Sequence, residues 1–123
     1  MKMLKIHHFL DIAPAPVEYM DGVTVRWVIG EEHGAPHFAM RIFDVEPGKS
    51  TEFHTHWWEH EVFVLEGTGL VRLEEGEEPL RPGSVIFVPG NLKHQFLNTG
   101  EGVLRFICCV PLPWLEKVRE QSA

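Results

Sequence analysis

The stretch HTHWWEH, residues 54–60, together with VPGNLKHQFLN, residues 88–98, decides how this chain is read. In an extended strand, residues two apart point to the same side. His54 and His56 therefore present two imidazoles to one face. His60 can join them from the start of the following strand, and His94 from a strand paired alongside. Neutral imidazole is the commonest protein ligand for a transition metal. The spacing predicts that His54, His56, His60 and His94 hold one metal ion inside a β-barrel. A single histidine in a half-apolar strand is ordinarily structural. Here four agree in ligand type and in strand parity.

Outward from these segments the chain reads as short strands between Gly/Pro turns. Val23 to Ile29 alternates, with Val23, Val25, Trp27 and Ile29 on one face. His37 to Val45 stops at Pro47-Gly48. Ser50 to His56 carries the first ligand pair, and Glu61 to Glu66 ends at Gly67. Leu70 to Glu74 runs into an acidic turn at Glu75-Gly76-Glu77-Glu78. Ser84 to Val88 lies between Pro82-Gly83 and Pro89-Gly90. His94 to Asn98 and Gly102 to Val110 complete the set. Pro111 and Pro113 break the pattern, and Trp114 to Gln121 is expected to form a short C-terminal helix. Regular short strands imply an all-β sandwich or barrel. The division expected is an N-terminal arm over 1–22, a β-barrel over 23–110 and a tail or short helix over 111–123.

The ligand segments resemble the two signature motifs of the cupin superfamily. The first motif appears as Gly48, KSTEF, His54-Thr55-His56, His60 and then VFVLEG ending at Gly67. The second appears as Gly83, SVIFV, Pro89-Gly90-Asn91, His94 and Asn98. The resemblance runs from about Phe38 to Val110. It implies a double-stranded β-helix, the jelly-roll barrel of cupins. Two positions depart from the usual pattern. His60 stands where these proteins commonly carry a glutamate, and Asn91 where glycine is usual. The first departure makes the chain look like small single-domain cupins with four-histidine sites, some of which hold manganese. The run HWWEHEVFVLEG, the preceding VEPG and the Phe-x-Cys strand ending at Cys108 are similar to that subgroup.

Composition bounds the partners. The chain has 123 residues and a formal net charge of −7, one domain's worth of chain and no basic footprint for nucleic acid. The apolar runs are of strand length, so no membrane-spanning helix is expected. The N-terminus has no secretory pattern, which points to the cytoplasm. Cys108 and Cys109 are the only cysteines. As strand neighbours they point to opposite faces and do not bridge each other.

Around the metal site, Phe96 shares parity with His94, and Phe106 and Cys108 turn inward if Arg105 faces out. These three are read either as barrel core or as a substrate-facing wall, and the resemblance favours the wall. Met40 lines the barrel or fills its core. Trp58 is placed over the entrance on the resemblance. Glu52 has the parity of His54 and either orients that imidazole or is simply solvated. His7, His8, His33 and His37 are read as surface residues.

Four neutral ligands leave a metal dication uncompensated and leave coordination positions open. Manganese or iron suits such a site. Affinity order alone does not select against nickel, cobalt, copper or zinc. The leading functional reading is a metal-dependent oxidoreductase of dioxygenase type acting on a small organic substrate. One competitor is a non-redox cupin isomerase or lyase, which needs a well-placed acid or base. Another is a non-catalytic small-molecule or metal-binding module. The apolar stretch Met3 to Ile12 further predicts a homodimer formed by exchange of the N-terminal arm. The substrate and the physiological metal are not legible in the sequence.

Overall fold

The computed structural model describes residues 4–112. Among these residues the chain is all-β apart from two short 3₁₀ turns. The strands are β1 (Ala15–Pro16), β2 (Val23–Ile29), β3 (Phe38–Val45), β4 (His60–Glu66), β5 (Gly69–Leu73), β6 (Gly76–Leu80), β7 (Val85–Val88), β8 (Gln95–Asn98) and β9 (Leu104–Pro111). They form a six-stranded sheet, ordered β1-β2-β3-β9-β4-β7, and a three-stranded sheet, ordered β6-β5-β8. Every pairing is antiparallel. The two sheets enclose one core and make a jelly-roll barrel.

Strand β9 is central because its sequence alternates cleanly. Leu104, Phe106, Cys108 and Val110 are buried, and the residues between them are half-buried on the outer face. Its partner β3 supplies matching inward residues, with Val45 opposite Leu104, Phe43 opposite Phe106 and Arg41 opposite Cys108. Burying each Val, Leu or Phe of this kind contributes about 1.5–3 kcal/mol. These inward rows meet Val62, Val64, Val71, Val88 and Phe96 from the other strands.

Three details differ from the sequence expectation. In β2 the alternation stops at Trp27, because the register to β3 shifts between Trp27 and Ile29. Val28 is the extra residue of this bulge and is buried, while Trp27 and Ile29 are exposed. A bulge sets two residues against one and so reverses the parity that follows. The segment carrying His54 and His56 is not a continuous strand. It is tied to β8 and the residue before it by two isolated bridges, Ser50 to Leu97 and His54 to His94, and by hydrogen bonds from Gln95 and Phe96 to Ser50 and Thr51. The acidic run is not all turn, since Gly76–Leu80 forms β6 and pairs with β5. Its charged side chains point to solvent from an edge strand, where charge discourages pairing with another chain. The expected C-terminal helix lies outside the described residues.

The N-terminal arm docks on its own barrel. Ala15 and Pro16 pair with Val25 and Thr24 of β2. Arg26 donates to the Ile12 carbonyl, and the Arg26 and Arg105 guanidiniums lie 5.6 and 5.1 Å from the centre of the Phe9 ring. Leu4, Ile6 and Leu10 remain exposed.

Candidate metal centre

Two loops carry the ligand histidines, and the backbone locks them together. His54 and His94 exchange both backbone hydrogen bonds, at 3.2 and 3.0 Å. The Asn91 N–H donates to the His56 carbonyl at 2.7 Å. Asn91 has φ 68°, the left-handed conformation that asparagine tolerates. A β-carbon on Gly90 would collide with the Trp57 carbonyl oxygen, so the Pro89-Gly90 turn can press directly against the ligand loop. The Pro89-Gly90-Asn91 turn thus holds the loops in contact.

Candidate ligand atoms of His54, His56 and His94 all lie within 4.8 Å of one another. His60 stands beside this triad, at the start of β4. Its ring centre is 4.4 Å from that of His56 and 5.3 Å from that of His94. The Nε2 atoms of His56 and His60 are 2.6 Å apart. Two neutral imidazoles at that distance either share a proton or turn both lone pairs toward a common cation.

The opposite edges of the rings are tied down. His56 Nδ1–H donates to the Trp58 carbonyl and His94 Nδ1–H to the Leu92 carbonyl, each at 2.8 Å. A carbonyl can only accept, so these bonds place the proton on Nδ1 and leave Nε2 as the free lone pair. His60 Nδ1 lies 2.8 Å from Cys108 Sγ. His54 Nδ1 lies 3.7 Å from a carboxylate oxygen of Glu52, which is itself exposed. Such outer partners orient metal-binding imidazoles.

Burial also favours the neutral form of His56, His60 and His94. Loss of solvation pushes His56 down to about 4, with the charges of His94, His54 and Arg41 acting in the same direction. His60 is pushed down to about 2, first by burial and then by His56, Arg41 and the other imidazoles. His94 is lowered mainly by burial. Rings that resist protonation keep their lone pairs available. The donor set therefore fits a divalent transition metal, with His54, His56 and His94 as its core.

The cavity beside the cluster has a volume of about 120 Å³. Phe96, Phe106, Cys108 and Trp58 line it, as do Phe43, Thr51, Val17 and Met20. Trp58 stacks on His56 with ring centres 4.2 Å apart and planes within 8°. Cys108 is buried and its thiol is pushed up to about 11 by desolvation, against the pull of Arg41. Two sequence candidates stand elsewhere. Met40 pairs with Cys109 on the outer face of the sheet, one residue out of phase with Arg41, and does not line the cavity. Glu52 sits outside the cavity, near the outer edge of His54.

Sequence reasoning missed Arg41. Its guanidinium enters the cavity beside the cluster, with Nη2 3.5 Å from His60 Nδ1 and 3.2 Å from Cys108 Sγ. The signal was present as strand parity, because Arg41 is two residues from Phe43 and four from Val45, both inward.

Comparison with known proteins accords with this geometry. Residues 41–110 match the cupin domain family, Cupin_2, and the chain belongs to the cupins. Among solved structures it is similar to the polyketide cyclase RemF from Streptomyces resistomycificus. The identity is 34 %, the TM-score 0.84, and the match covers 89 % of this chain and 80 % of that one. Among curated proteins it is 28 % identical over 110 residues to an oxalate-binding protein of Thermotoga maritima, covering 83 % of this chain and 89 % of that protein. It is 33 % identical over 75 residues to protein SchB of Streptomyces halstedii, covering 60 % of this chain. The chain spans little more than half the length of the first curated relatives it matches, 54 % of SchB and 57 % of a Methanocaldococcus jannaschii protein.

Proposed function

We propose that this chain is a metal-dependent cupin enzyme in which His54, His56, His60 and His94 hold one divalent transition metal, with manganese or iron the first candidates. It acts on a small, enolisable organic substrate. The observation that carries this reading is the convergence of neutral imidazoles in an apolar, aromatic-walled cavity whose lining contains no carboxylate. A metal held there supplies Lewis acidity and, if redox-active, a place where dioxygen and substrate meet.

The chain's own residues favour carbonyl chemistry. Phe43, Phe96 and Phe106 exclude water and hold a flat carbon skeleton. The guanidinium of Arg41 faces the same space and can stabilise negative charge developing on a substrate oxygen. Nδ1 of His56 and of His94 is committed to a carbonyl, so these rings orient rather than shuttle protons. The thiol of Cys108 stays protonated, which argues against a nucleophilic role. An enolisable proton must then leave to solvent or to the substrate's own oxygen. A ring-closing condensation meets these limits. A carbon–carbon bond forms between an enol carbon and a carbonyl carbon, the proton passes to the carbonyl oxygen, and loss of water follows. The likeness to RemF supports this class of reaction.

A dioxygenase-type oxidation is the second reading. The all-imidazole ligand set, which leaves coordination positions open beside aromatic walls, favours it. Turnover of β-diketones, phenols and poly-β-ketone thioesters, compared in air and under nitrogen at matched metal content, separates the two. Equal rates without oxygen support condensation, and a strict need for oxygen supports oxidation. Tight ligand binding without turnover of any of them would overturn both and leave a binding module.

A homodimer is part of the same proposal. Exposed Leu4, Ile6 and Leu10 in the arm, and exposed Phe63, Val85 and Phe87 on the β4–β7 side of the large sheet, offer apolar surface for a second copy. Sedimentation showing only monomer at micromolar protein would reject it. The division into arm 1–22, barrel 23–110 and tail 111–123 is proposed with it. The two free thiols suit a reducing, cytoplasmic setting.

A further inference from the structure

We infer that Arg41 is the anion-binding residue of this cavity, and that its ligand is a small organic anion, a carboxylate or an enolate, held between the guanidinium and the imidazole cluster. The inference rests on the reading that the cluster holds a metal and names the substrate class for that site.

Position is the first argument. Arg41 projects from β3 on the face that buries Ala39, Phe43 and Val45. Removing an ion from water costs several kcal/mol unless a partner compensates it. On the outer face of the same sheet that compensation is visible. Arg26 and Arg105 both bond to Asp44, at 3.2 and 2.7 Å. Among the described residues no carboxylate stands within ion-pair distance of Arg41.

What does surround Arg41 is weak as charge compensation. The guanidinium lies 5.3 Å from the Trp27 ring centre and 4.8 Å from that of Phe43. Nη2 donates to the neutral sulfur of Cys108, a poor acceptor, and lies 3.5 Å from His60 Nδ1, which carries no negative charge. Its Nε is buried and has no hydrogen-bond partner among the described residues. A guanidinium offers five donors in a planar fork that matches a carboxylate's two oxygens. Most of that capacity is unused here.

Charge is the second argument. Imidazole ligands bring no negative charge and the cavity lining has no carboxylate, so a dication among them and Arg41 beside them would both be uncompensated. Both are positive in a cavity of low polarity. A ligand whose negative oxygens face both groups answers both at once. An uncharged ligand would leave the guanidinium as it stands. The cavity, about 120 Å³, takes a small anionic head group, with Phe96 and Phe106 in its wall to meet the carbon atoms.

The test is calorimetric titration of oxalate, acetoacetate and benzoate, with uncharged oxamide as the control, into wild type and Arg41→Met. Each protein is used zinc-loaded and metal-free, with metal content measured. At equal metal content Arg41→Met should weaken binding of the anions at least tenfold and leave oxamide unchanged. Arg41→Lys should recover part of the loss, since it restores charge without the fork. If Arg41→Met does not fold, Arg41→Gln takes its place. Undiminished anion binding by the folded, loaded variant would overturn the inference, and so would loaded wild type that binds none of the three anions. Failure of the metal reading shows separately, as wild type that takes up no zinc. Arg41 is then judged on the metal-free proteins, where the same loss of anion binding is expected and its absence overturns the assignment.

Discussion

The two faces of β3 and β9 carry opposite chemistry one residue apart. Facing inward, Arg41 and Cys108 sit among aromatic rings and imidazoles. Facing outward, Asp44 gathers Arg26 and Arg105, and Arg105 also reaches Glu66. Burial opposes the charge of Asp44, but the two guanidiniums overcome it and hold its carboxyl below the usual range. The outer cluster is electrostatically closed, so it reads as a clamp between β2, β3 and β9. The inner face has one cation, Arg41, with imidazole lone pairs and no anion in the cavity lining, so it reads as a ligand site. Satisfied charge marks structure, and unsatisfied charge marks function.

The sharpest way to break this contrast is to remove inner-face imidazoles. Replacing His94 or His56 by alanine should reduce metal content to background while circular dichroism retains the β signature. His60→Ala sharpens the same point. A marked fall in metal affinity makes His60 a fourth ligand, whereas unchanged content leaves a three-histidine site.

Next in size is the aromatic wall. Phe106 is fully buried and stacks 5.4 Å from Phe43 and 4.8 Å from Phe96, centre to centre. Phe106→Ala should cost about 3–5 kcal/mol of stability by leaving a cavity. It should shift substrate preference more than metal content. Thermal denaturation and metal analysis of the same sample check both halves.

The outer clamp should respond differently. Asp44→Asn leaves two guanidiniums without their carboxylate and should cost about 1–3 kcal/mol, between the limits for exposed and buried pairs. Denaturant melts should show the loss, and metal binding should be untouched. A fall in metal content in this variant would mean the two faces are coupled.

The last test concerns pH. In the unfolded chain the imidazoles of His56 and His60 take up a proton near 6.5, but in the fold not until about 4 and about 2. Between those values the unfolded state binds more protons. The contribution is therefore complete above pH 6.5 and is lost as the pH falls toward about 4 for His56 and about 2 for His60. Melting temperatures of metal-free protein from pH 7.5 to 4.5 should decline, and the decline should be shallower in His60→Gln. A flat profile would show that the rings protonate within the fold.

Much of this site was legible in the chain. Ligand type and spacing pointed to His54, His56, His60 and His94, of which the fold groups His54, His56 and His94 with His60 beside them. Both signals were readable because strand parity is a local rule and imidazole chemistry does not depend on the fold. The same rule put Phe96, Phe106 and Cys108 on the inner face, and the all-β class followed from strand length and turn residues. What the sequence could not show was decided by contacts between strands distant in the chain. Met40 faces outward because its register opposite Cys109, set by the pairing of β3 with β9, puts it out of phase with Arg41. The bulge at Val28 belongs to the pairing of β2 with β3, where the register shifts between Trp27 and Ile29. Arg41 gained its meaning only in the assembled barrel, where its partners are a thiol on β9, a ring on β4 and no carboxylate. Local periodicity determines which residues can share a face. Only tertiary structure decides which charges meet there and which are left without an answer.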